Sequence, residues 1–310
     1  MMGLMMDSFF VLLAGTILLR PYVFAFLFLY CCAAVADLGW RRTLLFTAIA
    51  WSVAFAAESL SIRVGIPFGL YHYLPATVDQ ELWIAGVPFM DSLSFVFLAY
   101  ASWSLACLAL LPLSRNGKEW YHLWLPAHGR LGVPVLLLTV VLFVLIDIVI
   151  DPVAVRGDRW FLGQIFYYPE PGVYFGVPIT NFAGWAVVGA TIMLLFAPLD
   201  RRVKGEPPSW AARLPLRPLY GPSLYYIVLA FILTVTWMIG EKTLFLVGLF
   251  IYGPLTALLA ATIVMRWRQS RPSGGGNLEA RHGVVLGGGV STNGRGSLPV
   301  EALWKDQSPE

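Results

Sequence analysis

Charged residues are scarce in this sequence. Asp, Glu, Lys and Arg together make up 13% of its 310 residues, whereas 58% are hydrophobic. Ordinary soluble domains carry about 25% charged and about 45–50% apolar residues. The composition therefore excludes a soluble domain and predicts an integral membrane protein.

Other absences exclude further classes. The three cysteines, Cys31, Cys32 and Cys107, lie within apolar runs and have the spacing of neither a zinc site nor a redox pair. The sequence has no phosphate-binding loop and no glycine-rich dinucleotide motif. Its basic residues form no patch of the kind that binds nucleic acid. We therefore expect no cofactor and no nucleic-acid partner.

The sequence does contain apolar runs that are long enough to span a membrane, which takes about 17–25 residues. The clear runs are roughly 42–59, 91–113, 131–150, 178–198, 223–240 and 243–265. The stretch 8–36 is interrupted by Arg20-Pro21, and we interpret it as a short segment followed by a span at about 22–37, the alternative being one long kinked helix. The sequence predicts an all-α polytopic integral membrane protein with about seven transmembrane helices, within a range of six to eight. It further predicts a transmembrane domain over 1–269 and a Gly-rich, disordered tail over 270–310.

Basic residues predict the orientation in the membrane. They collect in alternate loops, at Arg41, Arg42, Arg115, Lys118, Arg130, Arg201, Arg202, Lys204, Arg213, Arg217, Arg266, Arg268 and Arg271. The positive-inside rule makes that side, and with it the C-terminus, cytoplasmic. We expect a multi-pass protein of the cell membrane.

Acidic and amide side chains collect at the span ends of the opposite side. The candidate catalytic residues among them are Asp147, Glu58, Asp151, Asp91 and Asn181. Asp147 and Asp151 stand four residues apart in LIDIVIDP, so a helix places both on one face. Carboxyl groups at membrane depth are costly and usually belong to a functional site. Glu241 also lies on this side, where an ordinary solvated loop residue is the simpler interpretation.

A short repeat relates the two halves. GVPFMD (86–91) and GVPITN (176–181) share Gly-Val-Pro and carry a polar sixth residue that opens a span. Glu58 stands 33 residues before Asp91, and Asp147 stands 34 residues before Asn181. This spacing suggests a parallel internal repeat with a site between the halves.

Two loops on the acidic side are rich in Gly, Pro and aromatic residues: GIPFGLYHY (65–73) and YFGVPITNFAGW (174–185). We expect them to fold back onto the membrane and line a pocket. The candidate substrate-binding residues are Phe68, Tyr71, His72, Tyr73, Trp83, Phe175 and Trp185. For scattered tryptophans, an aromatic belt at the membrane interface is the alternative. One histidine among acids does not make a metal site, so no metal is expected.

Buried carboxyl groups and aromatic faces suit one kind of chemistry. A carboxyl in apolar surroundings can act as a general acid, and aromatic faces stabilise a developing cation by about 0.5–2 kcal/mol. Together they suit protonation of an alkene, formation of a tertiary carbocation and capture by water. The substrate would be a lipid, because the site opens from the membrane.

Four motifs carry a resemblance to a known family. They are ESLSIRVGIPFGLYHY (58–73), GVP (86–88), DxxxDP (147–152) and YFGVPITNFxGW (174–185). Over roughly Arg20 to Arg268 the chain resembles the carotenoid-biosynthesis membrane proteins of the CruF type, which are carotenoid 1′,2′-hydratases related to the bisanhydrobacterioruberin hydratases. The motif residues carried over are Glu58, Gly65, Pro67, Phe68, Gly69, Tyr71, Tyr73, Asp147, Asp151, Asn181 and Trp185.

The resemblance implies an activity. Such a hydratase adds water across the terminal C1′=C2′ double bond of an acyclic carotenoid end, as found in lycopene or γ-carotene, and gives a tertiary alcohol without a redox cofactor. Its partners would be the carotenoid, water, membrane lipid and other enzymes of carotenoid synthesis. We predict that Asp147 or Glu58 donates the proton, that Tyr71, Tyr73 or Trp185 stabilises the cation, and that Asp151 or Asn181 positions the water.

Two alternatives stay open. An intramembrane prenyltransferase also uses Asp residues at four-residue spacing, there to hold magnesium on a diphosphate, but it normally needs two acid-rich motifs. A transporter of a lipid or solute could use the acids as a proton or cation path.

Overall fold

The computed structural model describes residues 2–116, 123–126, 129–161, 163–203, 206–269 and 272–273. Within these ranges the chain is built from α-helices. They are α1 (Met2–Leu19), α2 (Pro21–Leu38), α3 (Trp40–Val64), α4 (Phe89–Leu110), α5 (Val133–Ala154), α6 (Ile179–Asp200), α7 (Tyr220–Met238) and α8 (Lys242–Gln269). Seven spans, from α2 onwards, are long and apolar enough to cross a membrane. The predicted all-α polytopic fold is therefore confirmed, whereas most of the predicted tail lies outside the described residues.

The first apolar stretch is divided at Arg20, as predicted. Pro21 takes the first position of α2, where its missing N–H would have no helical partner. Arg20 is only 2% exposed and forms an ion pair of 3.1 Å with Glu81, which is fully buried. The Thr77 hydroxyl donates to the same Glu81 oxygen. These contacts anchor the junction of α1 and α2 to the loop that precedes α4.

Helix α4 lies at the centre of the bundle. About 89% of its span is buried, against 22–50% for the other six spans. Helices α2, α3, α5 and α7 pack against α4, α6 lies between α3 and α5, and α8 packs mainly on α7. Small residues allow this close packing: a Cβ on Gly221 of α7 would come within 2.2 Å of the Ser104 hydroxyl of α4.

Ion pairs join the helix ends of the predicted cytoplasmic side. Arg42 at the start of α3 pairs with Asp200 at the end of α6 at 3.2 Å. Arg130, which precedes α5, pairs with Asp37 near the end of α2. These contacts bring the predicted basic loops together on one side, which we call the basic side. That this side is cytoplasmic stays a prediction from loop charge.

Short strands tie the loops together. They are β1 (His72–Tyr73), β2 (Trp83–Ile84), β3 (Val87–Pro88), β4 (Ser114–Asn116), β5 (Leu123–Trp124), β6 (Phe166–Tyr167) and β7 (Pro272–Ser273). The antiparallel pair β1–β6, with His72 opposite Tyr167, joins the two long loops 65–88 and 155–178. We call the side that carries these loops the loop side.

The two Gly-Val-Pro segments have the same backbone structure as well as the same sequence. In both copies a two-residue turn reverses the chain, and both residues of each turn have positive φ: 48° and 88° at Ala85-Gly86, 50° and 92° at Phe175-Gly176. This is the pattern of a type I′ turn. The following valine is fully buried in each copy, and the following proline directly precedes the helix, α4 or α6. Asp91 and Asn181 consequently occupy the same third position of their helices.

Gly184 should be essential for the packing of the first long loop. A Cβ at this position would lie 2.5 Å from Phe68 Cδ1 and 2.8 Å from the Pro67 carbonyl oxygen. Because backbone must move, we expect Gly184→Ala to destabilise the fold by about 1–3 kcal/mol. Gly253→Ala is the matched control, since nothing lies within 4 Å of its Cβ. Thermal unfolding in detergent, followed by size-exclusion chromatography, should lower the midpoint for Gly184→Ala alone; equal midpoints would contradict this packing.

Candidate active site

A cavity of about 130 Å³, partly open to its surroundings, lies in the loop-side half of the bundle. Its walls come from α2 to α7 and from the two long loops. Ligand pockets are mostly apolar, with a few placed polar groups. This cavity fits that description, because its acidic and amide side chains lie on one part of an otherwise apolar and aromatic wall.

The first group of polar side chains comes from α3, α4 and the loop between them. The Ser92 hydroxyl donates a hydrogen bond to Glu58, which is 2% exposed. The Tyr73 hydroxyl donates to Asp91 Oδ2, and the Tyr71 and Tyr73 hydroxyl oxygens are 3.3 Å apart. Each carboxyl group of this half is thus held by a hydroxyl donor.

The second group comes from α5 and α6. Asn181 Nδ2 donates to Asp147 Oδ2 at 2.8 Å and to Asp151 Oδ2 at 2.6 Å. Both carboxyl groups are thus bound to one amide nitrogen. Two carboxyl groups that share a buried site cannot both be charged without a large cost, so we expect the pair to hold one proton. Such a dyad resembles paired carboxyl groups that exchange protons in catalysis.

Tyrosines of the loops cover the acidic groups on the loop side. Burial raises the pKa of Tyr71 and of Tyr73 well above the usual value, and the neighbouring carboxyl groups add to the effect. Burial likewise raises the pKa of Tyr168. All three phenols therefore keep their protons at neutral pH and remain hydrogen-bond donors.

An aromatic cluster forms the wall beside the carboxyl groups. The rings of Phe95 and Trp185 stack with centroids 4.4 Å apart. Phe68 packs on both, with centroids at 5.8 Å and 6.5 Å, and Phe143 lies 4.6 Å behind Trp185. Ring faces of this kind attract a cation, most strongly when water is excluded.

The cavity wall includes most of the residues predicted from the sequence. Those that line it are Glu58, Asp91, Asp151, Asn181, Phe68, Tyr71, Tyr73 and Trp185. Asp147 is fully buried and lies outside the lining, where it reaches the cavity only through Asp151 and Asn181. The geometry therefore favours Asp151 over Asp147 as the group that meets a ligand.

Three predicted binding residues lie away from the lining. His72 is in strand β1 and contacts Tyr167 at a ring distance of 5.8 Å. Trp83 packs on the outer side of Tyr73. Phe175 occupies the turn before α6, where its carbonyl oxygen accepts a hydrogen bond from Arg156. Their predicted role in substrate binding stays a prediction.

Glu241 also lies outside the cavity. It pairs with Arg156 at 3.1 Å and with Arg159. Partial burial raises the pKa of Glu241, but the two guanidinium groups outweigh this effect and hold it below the usual value. The interpretation of Glu241 as a loop residue outside the site agrees with this position.

Sequence reasoning missed the wall formed by α2, α4 and α7. Its aromatic members, with those of the second loop, are Tyr22, Phe26, Phe95, Phe97, Trp160, Phe166, Tyr168 and Phe231. In a membrane span an aromatic side chain facing a cavity has the same neighbours in sequence as one facing lipid. The aromatic residues just after Pro21 and in the second loop were the available signals.

Among the described residues, no group of three or more His, Cys, Asp and Glu side chains is arranged to hold a metal ion.

The sequence profile of a family described as "Carotenoid biosynthesis protein" matches residues 9–254. The chain belongs to this family. The match includes both acidic groups, the aromatic wall and both Gly-Val-Pro turns.

One relative of this chain has a name that states an activity. Bisanhydrobacterioruberin hydratase of Haloarcula japonica is 29% identical over 161 residues, which cover 50% of this chain and 46% of the relative. The match thus spans about half the length of that relative. No solved structure matches the chain significantly.

The Asn181 amide should be required to hold the two carboxyl groups. In Asn181→Asp a third carboxyl replaces the shared donor, so we expect a loss of about 1–3 kcal/mol from unsatisfied buried groups. Lowering the pH should recover stability, because a protonated carboxyl can donate again. The exchange variant Asp151→Asn/Asn181→Asp, which restores one amide and two carboxyls, should be more stable than Asn181→Asp at neutral pH. Thermal midpoints measured from pH 5 to pH 8 would refute the arrangement if all three proteins behaved alike.

Proposed function

We propose that this protein is a carotenoid hydratase that adds water to the terminal C1′=C2′ double bond of an acyclic carotenoid end group. The observation that carries the proposal is the pair of acidic groups beside an aromatic wall in one apolar cavity, found in a member of the carotenoid biosynthesis family. The hydratase name of the Haloarcula relative supports the same reaction type.

The first step is protonation of the alkene. Asp151 lines the cavity and accepts a hydrogen bond from the same Asn181 amide as Asp147. Asp151 is therefore the proposed acid, and Asp147 is the proposed partner in a pair that holds one proton. The proton goes to C2′, the π electron pair forms the new C–H bond, and C1′ becomes a tertiary cation. Trp185 and Phe95, which line the cavity, are the residues proposed to stabilise that charge.

The second step is capture by water. A water molecule attacks C1′, forms the C–O bond and gives up one proton, so that the sum of both steps is addition of one water. Glu58 and Asp91 are the proposed acceptors, because each is held by a hydroxyl donor and lines the same cavity. The proton returns to the Asp147–Asp151 pair, and no electron acceptor or donor is consumed.

The direct test is pigment analysis in a host that accumulates lycopene or γ-carotene. Expression of this chain should yield a product heavier by one water with an unchanged chromophore, seen by chromatography with mass detection. Unchanged pigment, with the protein present in the membrane, would refute the proposal. Dependence on a diphosphate substrate and magnesium would then favour a prenyltransferase, and solute movement coupled to protons would favour a transporter.

Substitution of Asp151 separates its role from that of other acids. Asp151→Asn should lower hydration by about 10²–10⁴-fold, the usual range for loss of a general acid, and Asp147→Asn should also abolish rapid turnover. Glu241→Gln is the matched control, because it removes an acid of the same side that lies outside the cavity. The product should be quantified against the amount of folded protein in the membrane. Wild-type turnover by Asp151→Asn would remove Asp151 from the mechanism.

A further inference from the structure

The cavity has two unlike regions. Its carboxyl and amide groups come from α3, α4, α5 and α6. The opposite region, between α2 and α7, is apolar and is formed by Val23, Phe26, Phe97, Val228 and Ile232. A ligand with a reactive end and an apolar chain would therefore place the end at the acids and the chain between α2 and α7.

The α2–α7 region continues to the outer surface as a chain of rings, which we call the aromatic seam: Tyr22, Trp160, Phe161 and Phe231. Tyr22 of α2 stacks on Phe231 of α7 at 5.4 Å, and Trp160 lies 6.0 Å from Tyr22. These three rings line the cavity. Phe161 lies outside the lining and is 61% exposed.

Phe161 differs from a residue of an ordinary interfacial belt. Its ring contacts all three cavity-lining rings of the seam, at 4.9 Å from Trp160, 5.5 Å from Tyr22 and 6.3 Å from Phe231. The seam is thus a continuous aromatic surface that leads from the inside of the cavity to its exterior.

The cavity is too short to enclose a whole carotenoid. On α4 the lining runs from Met90 to Leu98, which is about 12 Å along a helix that rises about 1.5 Å per residue. The extended skeleton of a carotenoid is much longer than this. The cavity can hold an end group, and the remaining polyene must leave through a wall. An exit directly into water would be unfavourable for its apolar surface, whereas Tyr22 and Phe231 of the seam lie on helices long and apolar enough to cross a membrane.

We propose that the aromatic seam is the lateral portal through which the polyene extends into the membrane while its end group lies at the acids. The inference rests on the proposed function for the identity of the chain. It assigns a specificity role to Tyr22, Trp160, Phe161 and Phe231: they select substrates with a long, flat, apolar chain attached to the reacting end.

Photo-crosslinking tests the path without relying on turnover. The photoreactive residue p-benzoylphenylalanine is placed at position 161, or at position 173 as control, since Val173 is 88% exposed and lies in the second long loop. Membranes containing lycopene are irradiated, and peptides are analysed by mass spectrometry. We expect a lycopene adduct at position 161 and none at position 173. No adduct at 161, or equal adducts at both, would overturn the portal.

Selective blocking tests the specificity role. Phe161→Cys and Val173→Cys are made with the exposed Cys31 and Cys32 replaced by Ser; Cys107 is buried. Each variant is compared before and after labelling with a bulky maleimide, using lycopene and farnesene, a short acyclic alkene with the same end group. Labelling at 161 should lower hydration of lycopene by about 10-fold or more, because remote binding of the chain contributes to turnover, and should lower hydration of farnesene far less.

The outcomes separate the two proposals. Equal loss for both substrates, or equal loss with label at 173, would overturn the selection of long chains by the seam. If neither unlabelled variant nor the wild type hydrates either substrate, the proposed function fails. The crosslinking result still decides whether a polyene occupies the seam.

Discussion

The structure depends on how buried carboxyl groups are provided with hydrogen-bond donors. Two carboxyl groups of one helix face, Asp147 and Asp151, cannot both be charged and close together in a water-poor interior without a large cost. The Asn181 amide donates to both groups, and one proton held by the pair would remove the repulsion between them. Asn181 reaches both carboxyl groups because α6 begins directly after a tight turn and Pro178, beside the end of α5.

The two halves of the repeat meet the same requirement by different means. The first half satisfies Glu58 and Asp91 with hydroxyl donors, which can also accept and rotate. The second half uses an amide, whose N–H groups are fixed in direction and never accept. One fold motif, used twice, therefore presents two chemically different acidic groups to one cavity, which is what a reaction with separate proton-donating and proton-accepting steps needs.

Much of the fold follows from the sequence, because span length, loop charge and Pro21 each act locally. The sequence also indicated the acids and Asn181 of the cavity wall, because polar residues within apolar runs stand out. It indicated Phe68, Tyr71, Tyr73 and Trp185 because they lie in loops rich in Gly, Pro and aromatic residues. Helix α5 extends beyond the predicted span end at residue 150, through Pro152 to Ala154, so Asp151 lies within the helix. The wall of α2 and α7 could not be predicted, since the ring of Phe231 meets its partners only through tertiary packing.

The substrate-binding residues in the loops can be predicted only in part. Glycine and aromatic residues mark loops 65–73 and 174–185 as ordered, but they do not tell which ring faces inward. Tyr73 turns to Asp91, whereas its neighbour His72 turns away, as alternation along a strand requires. A two-residue strand is too short for its pairing with β6 to be recognised from sequence.

The central position of α4 has a consequence for biogenesis. Spans are released into the bilayer in chain order, so α4 enters the lipid before α5, α6 and α7 exist to surround it. Its mean hydropathy of 1.9 is high enough for α4 to cross a membrane by itself, although it contains serines that are buried in the finished bundle. The cavity itself forms only when α7 arrives and packs against α2 and α4. Until then the cavity that Glu58 and Asp91 line lacks the part of its wall that α7 provides, so the site is completed late in chain order.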